Sequence, residues 1–303
     1  MNDTSRPLTL KPDCPVDPIA LLVIREIHKA SKELGFPVFL VGAMARIILL
    51  ENIFGLTAGR ATTDVDFAFA LDNWEQFRSL KTFLVANADF EESGHVAHRL
   101  LLHLPGLEHQ FKVDLIPFGG IETSPDTIAW PPDMSVMMNV AGYRDALAAA
   151  VTVEVSPGIN MAVASLPGTA ILKLFAWADR GQENPKDAID LVSLLRGYHE
   201  AGNESRIYEE EAALAALEAA GYDIELAGAW LLGNDAAAMV SAQTNTDLQA
   251  LLNGTRRERL IEDMARAMLG RDNVLEYSHR LLEQFTNGFN AYATQRKSIG
   301  RSL

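Results

Sequence analysis

Cysteine is nearly absent from this chain: Cys14 is the single one in 303 residues. An intramolecular disulfide and a multi-thiolate metal site are therefore excluded. Basic residues are also in short supply. Against 40 Asp and Glu stand 26 Lys and Arg, a formal net charge of -14. That balance disfavours non-specific nucleic-acid binding, although a local basic patch could still dock a nucleic acid. No apolar stretch is long enough to span a bilayer. The start, Met1 to Pro7, lacks the basic-then-apolar order of a signal peptide, so no membrane association and a cytoplasmic location are expected. Neither a Walker-type glycine loop nor a Gly-x-Gly-x-x-Gly dinucleotide fingerprint is present. Histidines crowd only around His95, His98, His103 and His109. Positions 95 and 98 of a strand face opposite ways, and a turn separates 103 from 109, which is a poor zinc pattern.

What remains is an ordinary globular composition, 48% hydrophobic and 22% charged, with enough length for two domains. Residues 1–16 read as an extended, proline-bearing arm. Asp17-Pro18 caps a helix that Gly35 ends, with an apolar stripe at Ala20, Val23, Ile24 and Ile27. Pro37 to Val41 is a buried strand, and Ala43 to Phe54 a helix. A polar loop carrying Arg60 follows. Asp64 to Ala70 is the next strand, and Asn73 caps a helix to about Ala86. His95 to Leu104 and Phe111 to Phe118 complete a small mixed sheet around a turn at Pro105-Gly106. Trp130-Pro131-Pro132-Asp133 is a rigid turn. Val151 to Val155 and Ile159 to Ser165 form a hairpin. From Leu166 onward the period becomes helical. The expected fold class is α+β: a mixed α/β domain over 1–165 with an N-terminal arm, then a helical domain over 166–303.

The chemistry sits in three acids. In a strand alternate side chains share a face, so Asp64 and Asp66 project together while Val65 and Phe67 face the other layer. Two carboxylates held side by side repel unless a cation lies between them, which points to Mg²⁺ or Mn²⁺. Asp114, inside the apolar run Lys112 to Ile116, completes a three-carboxylate cluster if its strand pairs beside the first. Such a cluster suits two hard cations roughly 3.5–4 Å apart, clamping the oxygens of a phosphoryl displacement. The turn at Gly42, opening a helix, offers backbone N–H groups to phosphates.

Val41-Gly42-Ala43, Asp64-Val65-Asp66 and Val113-Asp114-Leu115 together resemble the signature of the polymerase-β-type nucleotidyltransferase superfamily. Leu172 to Arg180, with Lys173, and Lys186-Asp187-Ala188-Ile189-Asp190 are similar to the lysine helix and the Lys/Arg-Asp-x-x-Asp helix of abortive-infection (AbiEii-type) nucleotidyltransferase toxins. The resemblance covers residues 38 to about 195. It implies metal-dependent transfer of a nucleoside monophosphate from a nucleoside triphosphate to an acceptor hydroxyl. Asp64, Asp66 and Asp114 would be metal ligands and catalytic, and Lys173 would neutralise the triphosphate. Gly42, Ala43, Arg46, Arg60 and Arg180 would be nucleotide contacts. The acceptor is an RNA end, a protein or a small molecule, and an antitoxin partner follows from the resemblance alone. Two departures stand out: Ala43 replaces the usual Ser or Gly of the turn, and the gap from Gly42 to Asp64 is long.

Each residue also has a plainer reading. An Asp-x-Asp is often the solvated face of a strand, and Arg46 and Arg60 suit surface cations. Lys173 can snorkel from an apolar helix, with Lys186 and Asp190 an intrahelical ion pair. The alternatives to an enzyme are an inactive module that binds nucleotide and Mg²⁺ or serves a partner, and a structural protein whose acids coincide. Arg256-Arg257-x-Arg259 is either a docking patch or a solvated face.

Overall fold

The computed structural model describes residues 6–59, 62–104, 110–181, 183–268, 270 and 272–299, excepting the side chains of 293–299. The chain falls into two compact units. One comprises Met1–Gly55 with Ala61–Ser165, the other Leu56–Arg60 with Leu166–Leu303.

In the first unit, β1 (Leu8–Thr9) precedes α1 (Pro18–Leu34), β2 (Val38–Val41) and α2 (Gly42–Ile47). β3 (Asp64–Ala70), α3 (Trp74–Asn87), β4 (Phe90–Glu92), β5 (Arg99–Leu102) and β6 (Phe111–Phe118) follow. β7 (Thr127–Trp130), β8 (Val136–Asn139), α4 (Tyr143–Ala148), β9 (Val151–Ser156) and β10 (Ile159–Val163) complete it. Eight strands make one sheet in the order β1-β9-β10-β2-β3-β6-β5-β4, and β7 and β8 form a separate ribbon. The pairing is mixed: β2–β3 and β6–β5 are antiparallel, β3–β6 and β10–β2 parallel.

Local chemistry explains the elements that position the site. The Asp17 carboxylate accepts from the Ile19 and Ala20 amides, Pro18 stands in the first turn, and Gly35 closes α1 with φ +72. Buried Ala20, Val23, Ile24, Ile27 and Ala30 form its inner stripe. β2 buries Phe39, Leu40 and Val41, and β3 buries Val65 and Phe67 while Asp64 and Asp66 stay half-buried on the other face. The N-terminal arm is anchored rather than loose. β1 pairs with β9, and the Asn52 carboxamide donates to the Cys14 and Pro15 carbonyls at 3.1 Å each.

Several expectations need correction. The helix after Gly42 is α-helical only to Ile47 and continues as a π-helical turn over Ile48–Ile53. The strand expected over His95 to Leu104 begins at Arg99. Residues before it form a turn in which Ser93 Oγ accepts from the His95 and Val96 amides. β4, β7, β8 and α4 were not expected. Trp130 closes β7, so Trp130-Pro131-Pro132-Asp133 leads into the connection of the β7–β8 ribbon. The turn expected at Pro105-Gly106 lies outside the described residues, as does Arg60.

The second unit is helical: α5 (Leu166–Arg180), α6 (Lys186–Gly197), α7 (Glu204–Glu209), α8 (Glu211–Ala219), α9 (Ile224–Met239), α10 (Ala242–Leu252), α11 (Arg257–Ala265) and α12 (Val274–Ile299). Its centre is the α9–α12 pair, which glycines let approach closely. A Cβ on Gly233 would lie 2.0 Å from the Phe285 carbonyl oxygen, and one on Gly288 1.8 Å from that of Trp230. No helix among the described residues is long and apolar enough to cross a membrane.

Candidate active site

Sheet register brings the predicted acids together. β3 and β6 run parallel with Asp66 opposite Asp114 and Asp64 opposite Lys112. Asp64, Asp66 and Asp114 therefore lie on one face of neighbouring strands. β5 then places Arg99 opposite Asp114 on the far side of β6. Asp66, Asp114 and Arg99 form a row across three strands.

The glycine turn meets this row at its first member. Gly42 follows β2 with φ +70, and a Cβ there would sit 2.1 Å from Asp66 Oδ2 and 2.9 Å from its Cγ. Only a residue with no side chain lets the turn lie against that carboxylate. Asp64 is held by the Thr62 hydroxyl, which donates to Asp64 Oδ1.

Asp114 is the most enclosed of the three, at 7% exposure. Arg99 grips it through both oxygens, Nε to Oδ1 and Nη2 to Oδ2, each at 2.7 Å. His98 Nε2 lies 3.9 Å from Asp114 Oδ2, and its ring is tilted 5.4 Å from that of Trp130. Trp130 continues into an aromatic wall with Trp74 at 5.1 Å and Phe77 at 5.5 Å. The hydrogen bond to Asp114 raises the Arg99 pKa above the usual arginine value. Burial opposes this, and the charges of Asp114, Asp64 and Asp66 reinforce it. The guanidinium thus stands in the field of all three acids.

The expected metal ligands are all at this face, with Asp114 already paired to Arg99. Among the described residues no three His, Cys, Asp or Glu side chains come together as a ready metal-ligand group. At this face both oxygens of Asp114 accept from Arg99. Asp64 and Asp66 still fit a hard divalent cation, being oxygen donors on one face of one strand beside a side-chain-free turn.

The remaining predicted residues are placed as follows. Ala43 is buried in the first turn of α2, and Arg46, one turn further, is completely buried, so it is not a surface cation. Lys173 does not snorkel. It is 7% exposed, and its Nζ donates to Asp187 Oδ1 at 3.0 Å and Asp190 Oδ2 at 2.7 Å. Asp190 thus bonds to Lys173, from the neighbouring helix, rather than making the intrahelical pair with Lys186. Arg180 donates Nε and Nη2 to Asp187 at 2.8 and 3.1 Å. Burial alone would push the Asp187 pKa up. The charge of Lys173 and the hydrogen bonds and charge of Arg180 outweigh it, and the pKa falls below the ordinary carboxylate value. Asp187 is fully enclosed at 0% exposure.

The same unit has a cavity of about 540 Å³ lined in part by Thr57, Asp190, Ser193, Arg196 and Glu225. Arg256 stacks over Trp177 at 4.9 Å and donates to the Ala178 carbonyl at 2.6 Å. Arg259 pairs with Asp263 at 3.2 Å, so part of the arginine run is tied down within its own unit. The sequence points to no role for Arg99, and to His98 only as a poor zinc ligand. The one available signal was their position just before the apolar run Leu100 to Leu102.

Comparison with known proteins gives the following. A family model described as "Nucleotidyl transferase AbiEii toxin, Type IV TA system" matches residues 37–285. No curated protein matches the chain. Among solved structures, an antigenic nucleotidyltransferase-like protein from Paracoccidioides brasiliensis is similar at 16% identity and TM-score 0.40, covering 69% of this chain and 94% of its own. ANT(2")-Ia in complex with adenylyl-2"-tobramycin is similar at 15% identity and TM-score 0.35, covering 67% and 99%. A CCA-adding enzyme with ATP is similar at 15% identity and TM-score 0.31, covering 87% and 68%.

Proposed function

The chain belongs to the AbiEii nucleotidyl transferase toxin family, and from that premise we propose that the face built by Gly42, Asp64, Asp66 and Asp114 is its active site. The protein is a nucleotidyltransferase. The observation that carries the assignment is the convergence of three distant segments: Asp66 lies opposite Asp114 in register, and Gly42 packs against the Asp66 carboxylate.

In this reading a nucleoside triphosphate lies with its phosphates along the Gly42-Ala43 backbone N–H groups. Asp64 and Asp66 would hold Mg²⁺ or Mn²⁺, which would supply charge neutralisation at the phosphates and ease deprotonation of the acceptor. An acceptor hydroxyl attacks the α-phosphorus. A new P–O bond forms, the bond to the β-phosphate oxygen breaks, and pyrophosphate leaves while the hydroxyl proton passes to solvent. The chain's own contribution is positioning and charge. Thr62 orients Asp64, and His98, beside Trp130, lies 3.9 Å from Asp114. Lys173 and Arg180 are assigned to the triphosphate by family resemblance alone. The acceptor is an RNA end, a protein or a small molecule. The family description suggests an antitoxin as a partner, and a triphosphate substrate fits a cytoplasmic setting.

The test is transfer of label from α-³²P nucleoside triphosphates into cell extract, resolved into RNA, protein and small molecules. Asp64→Asn and Asp66→Asn should abolish labelling while circular dichroism and thermal unfolding stay close to those of the unaltered chain. Full labelling by the double variant would reject the site.

A further inference from the structure

The row Asp66–Asp114–Arg99 carries one more step. A site with three carboxylates on one face ordinarily needs positive charge at each end of the row. Here the positive charge at the Asp114 end is covalently part of the chain. Arg99 reaches Asp114 by both Nε and Nη2 at 2.7 Å, a fork-on-fork pairing that occupies the carboxylate's two oxygens. The pairing is dictated by sheet register, since Arg99 and Asp114 are direct cross-strand partners on β5 and β6, and it is shielded, Asp114 being only 7% exposed.

We propose that Arg99 takes the place of a second metal ion in this site, so that the protein binds a single divalent cation on Asp64 and Asp66. The proposal rests on the reading of that pair given above. A guanidinium is charged at every working pH, and unlike a metal ion it neither dissociates nor competes with solvent for ligands. Gripping Asp114 through Nε and Nη2, it still carries Nη1 hydrogens with which to meet a phosphate oxygen. Arg99 is therefore a positioning residue that fixes Asp114 and a permanent positive charge beside the bound cation.

Metal stoichiometry tests this without reference to turnover. The full chain is titrated with Mn²⁺ alone and followed by calorimetry and by the electron paramagnetic resonance of free and bound ion. The unaltered protein should bind one Mn²⁺, and Asp66→Asn should lose it. Asp114→Asn should keep it within about twofold in affinity, because Asp114 is not a ligand. Arg99→Gln should admit a second equivalent, with a spin-coupled spectrum, and Arg99→Lys should restore a count of one. Two Mn²⁺ in the unaltered chain, a single Mn²⁺ in Arg99→Gln, or loss of the site in Asp114→Asn each overturns the proposal while leaving the nucleotidyltransferase site intact. No binding at all overturns it too, and in that case removes Asp64 and Asp66 as cation holders.

Discussion

Lys173 offers a perturbation whose size follows from the structure. Its ammonium is 8% exposed as a side chain and lies 3.0 Å from Asp187 and 2.7 Å from Asp190, whose own side chains are 0% and 1% exposed. With Arg180 on Asp187, two cations balance two carboxylates. Lys173→Met keeps the length and apolar stem but removes one charge, leaving the network with a net negative charge away from water. Breaking a buried pair by deleting one partner costs about 3–5 kcal/mol, at roughly 2–4 °C per kcal/mol for a unit of this size, so a drop of about 6–20 °C is expected. The sign with pH is fixed as well. Asp187 has a folded pKa below its ordinary value. It therefore contributes stability that is full above the unfolded carboxylate pKa and is lost as pH falls through the lowered value. The variant lacks most of that contribution, and protonation relieves its buried charge. Its deficit should therefore be largest near neutrality and shrink on acidification. Thermal unfolding by calorimetry across that range is the assay. A deficit under about 1 kcal/mol, or one that is the same at acidic and neutral pH, would refute the reasoning. Because the family resemblance also places Lys173 on the triphosphate, lost activity alone decides nothing. Lys173→Met combined with Asp187→Asn and Asp190→Asn removes the stranded charges. It should recover most of the stability while transfer stays abolished.

Three further outcomes follow from close contacts. Gly42→Ala puts a methyl 2.1 Å from Asp66 Oδ2 at a φ of +70, so Mn²⁺-dependent thermal stabilisation should disappear while the unit stays folded. Gly288→Ala meets the Trp230 carbonyl oxygen at 1.8 Å, and overpacking of the α9–α12 pair should lower stability by about 1–3 kcal/mol in urea unfolding. Asn52→Ala removes both anchors of the arm at Cys14 and Pro15. It should expose residues 6–16 to limited proteolysis several times faster, at a cost of about 1–3 kcal/mol from the carbonyls left without their donor.

Legibility in the sequence followed the range of the interaction involved. The α1 helix was readable end to end because its cap, first-turn proline and terminal glycine act within a few residues of one another. Asp64 and Asp66 were readable as a pair because strand alternation is a property of one strand. β4 was not: Phe90-Glu91-Glu92 shows no sustained pattern, and its charged, exposed side chains suit an edge position that only the finished sheet defines. The β7–β8 ribbon was missed because Val136 and Met137 stay exposed at 61% and 56%. Burial therefore imposes no alternation on β8 for a reader to find. Lys173 was read from an apolar helix as either a snorkel or a ligand, because its partners lie 14 and 17 residues downstream on a second helix.

Arg99 shows where such reading stops and why. Periodicity tells which face of its own strand a side chain takes, but not which strand lies alongside. The register of β5 on β6 is set by their pairing and by the turn after Ser93 that starts the strand at Arg99 rather than at His95. A strand begun at His95 puts 95, 97 and 99 on one face and leaves Arg99 in mid-strand with no reason to meet an acid. Begun at Arg99, the strand has the guanidinium as its first residue, opposite Asp114, with Leu100 and Leu102 buried on the other face. The electrostatics of the candidate site therefore depend on the turn that precedes β5. That dependence explains why Asp114, legible in the sequence as one of three like acids, is in the folded sheet one half of an ion pair with Arg99.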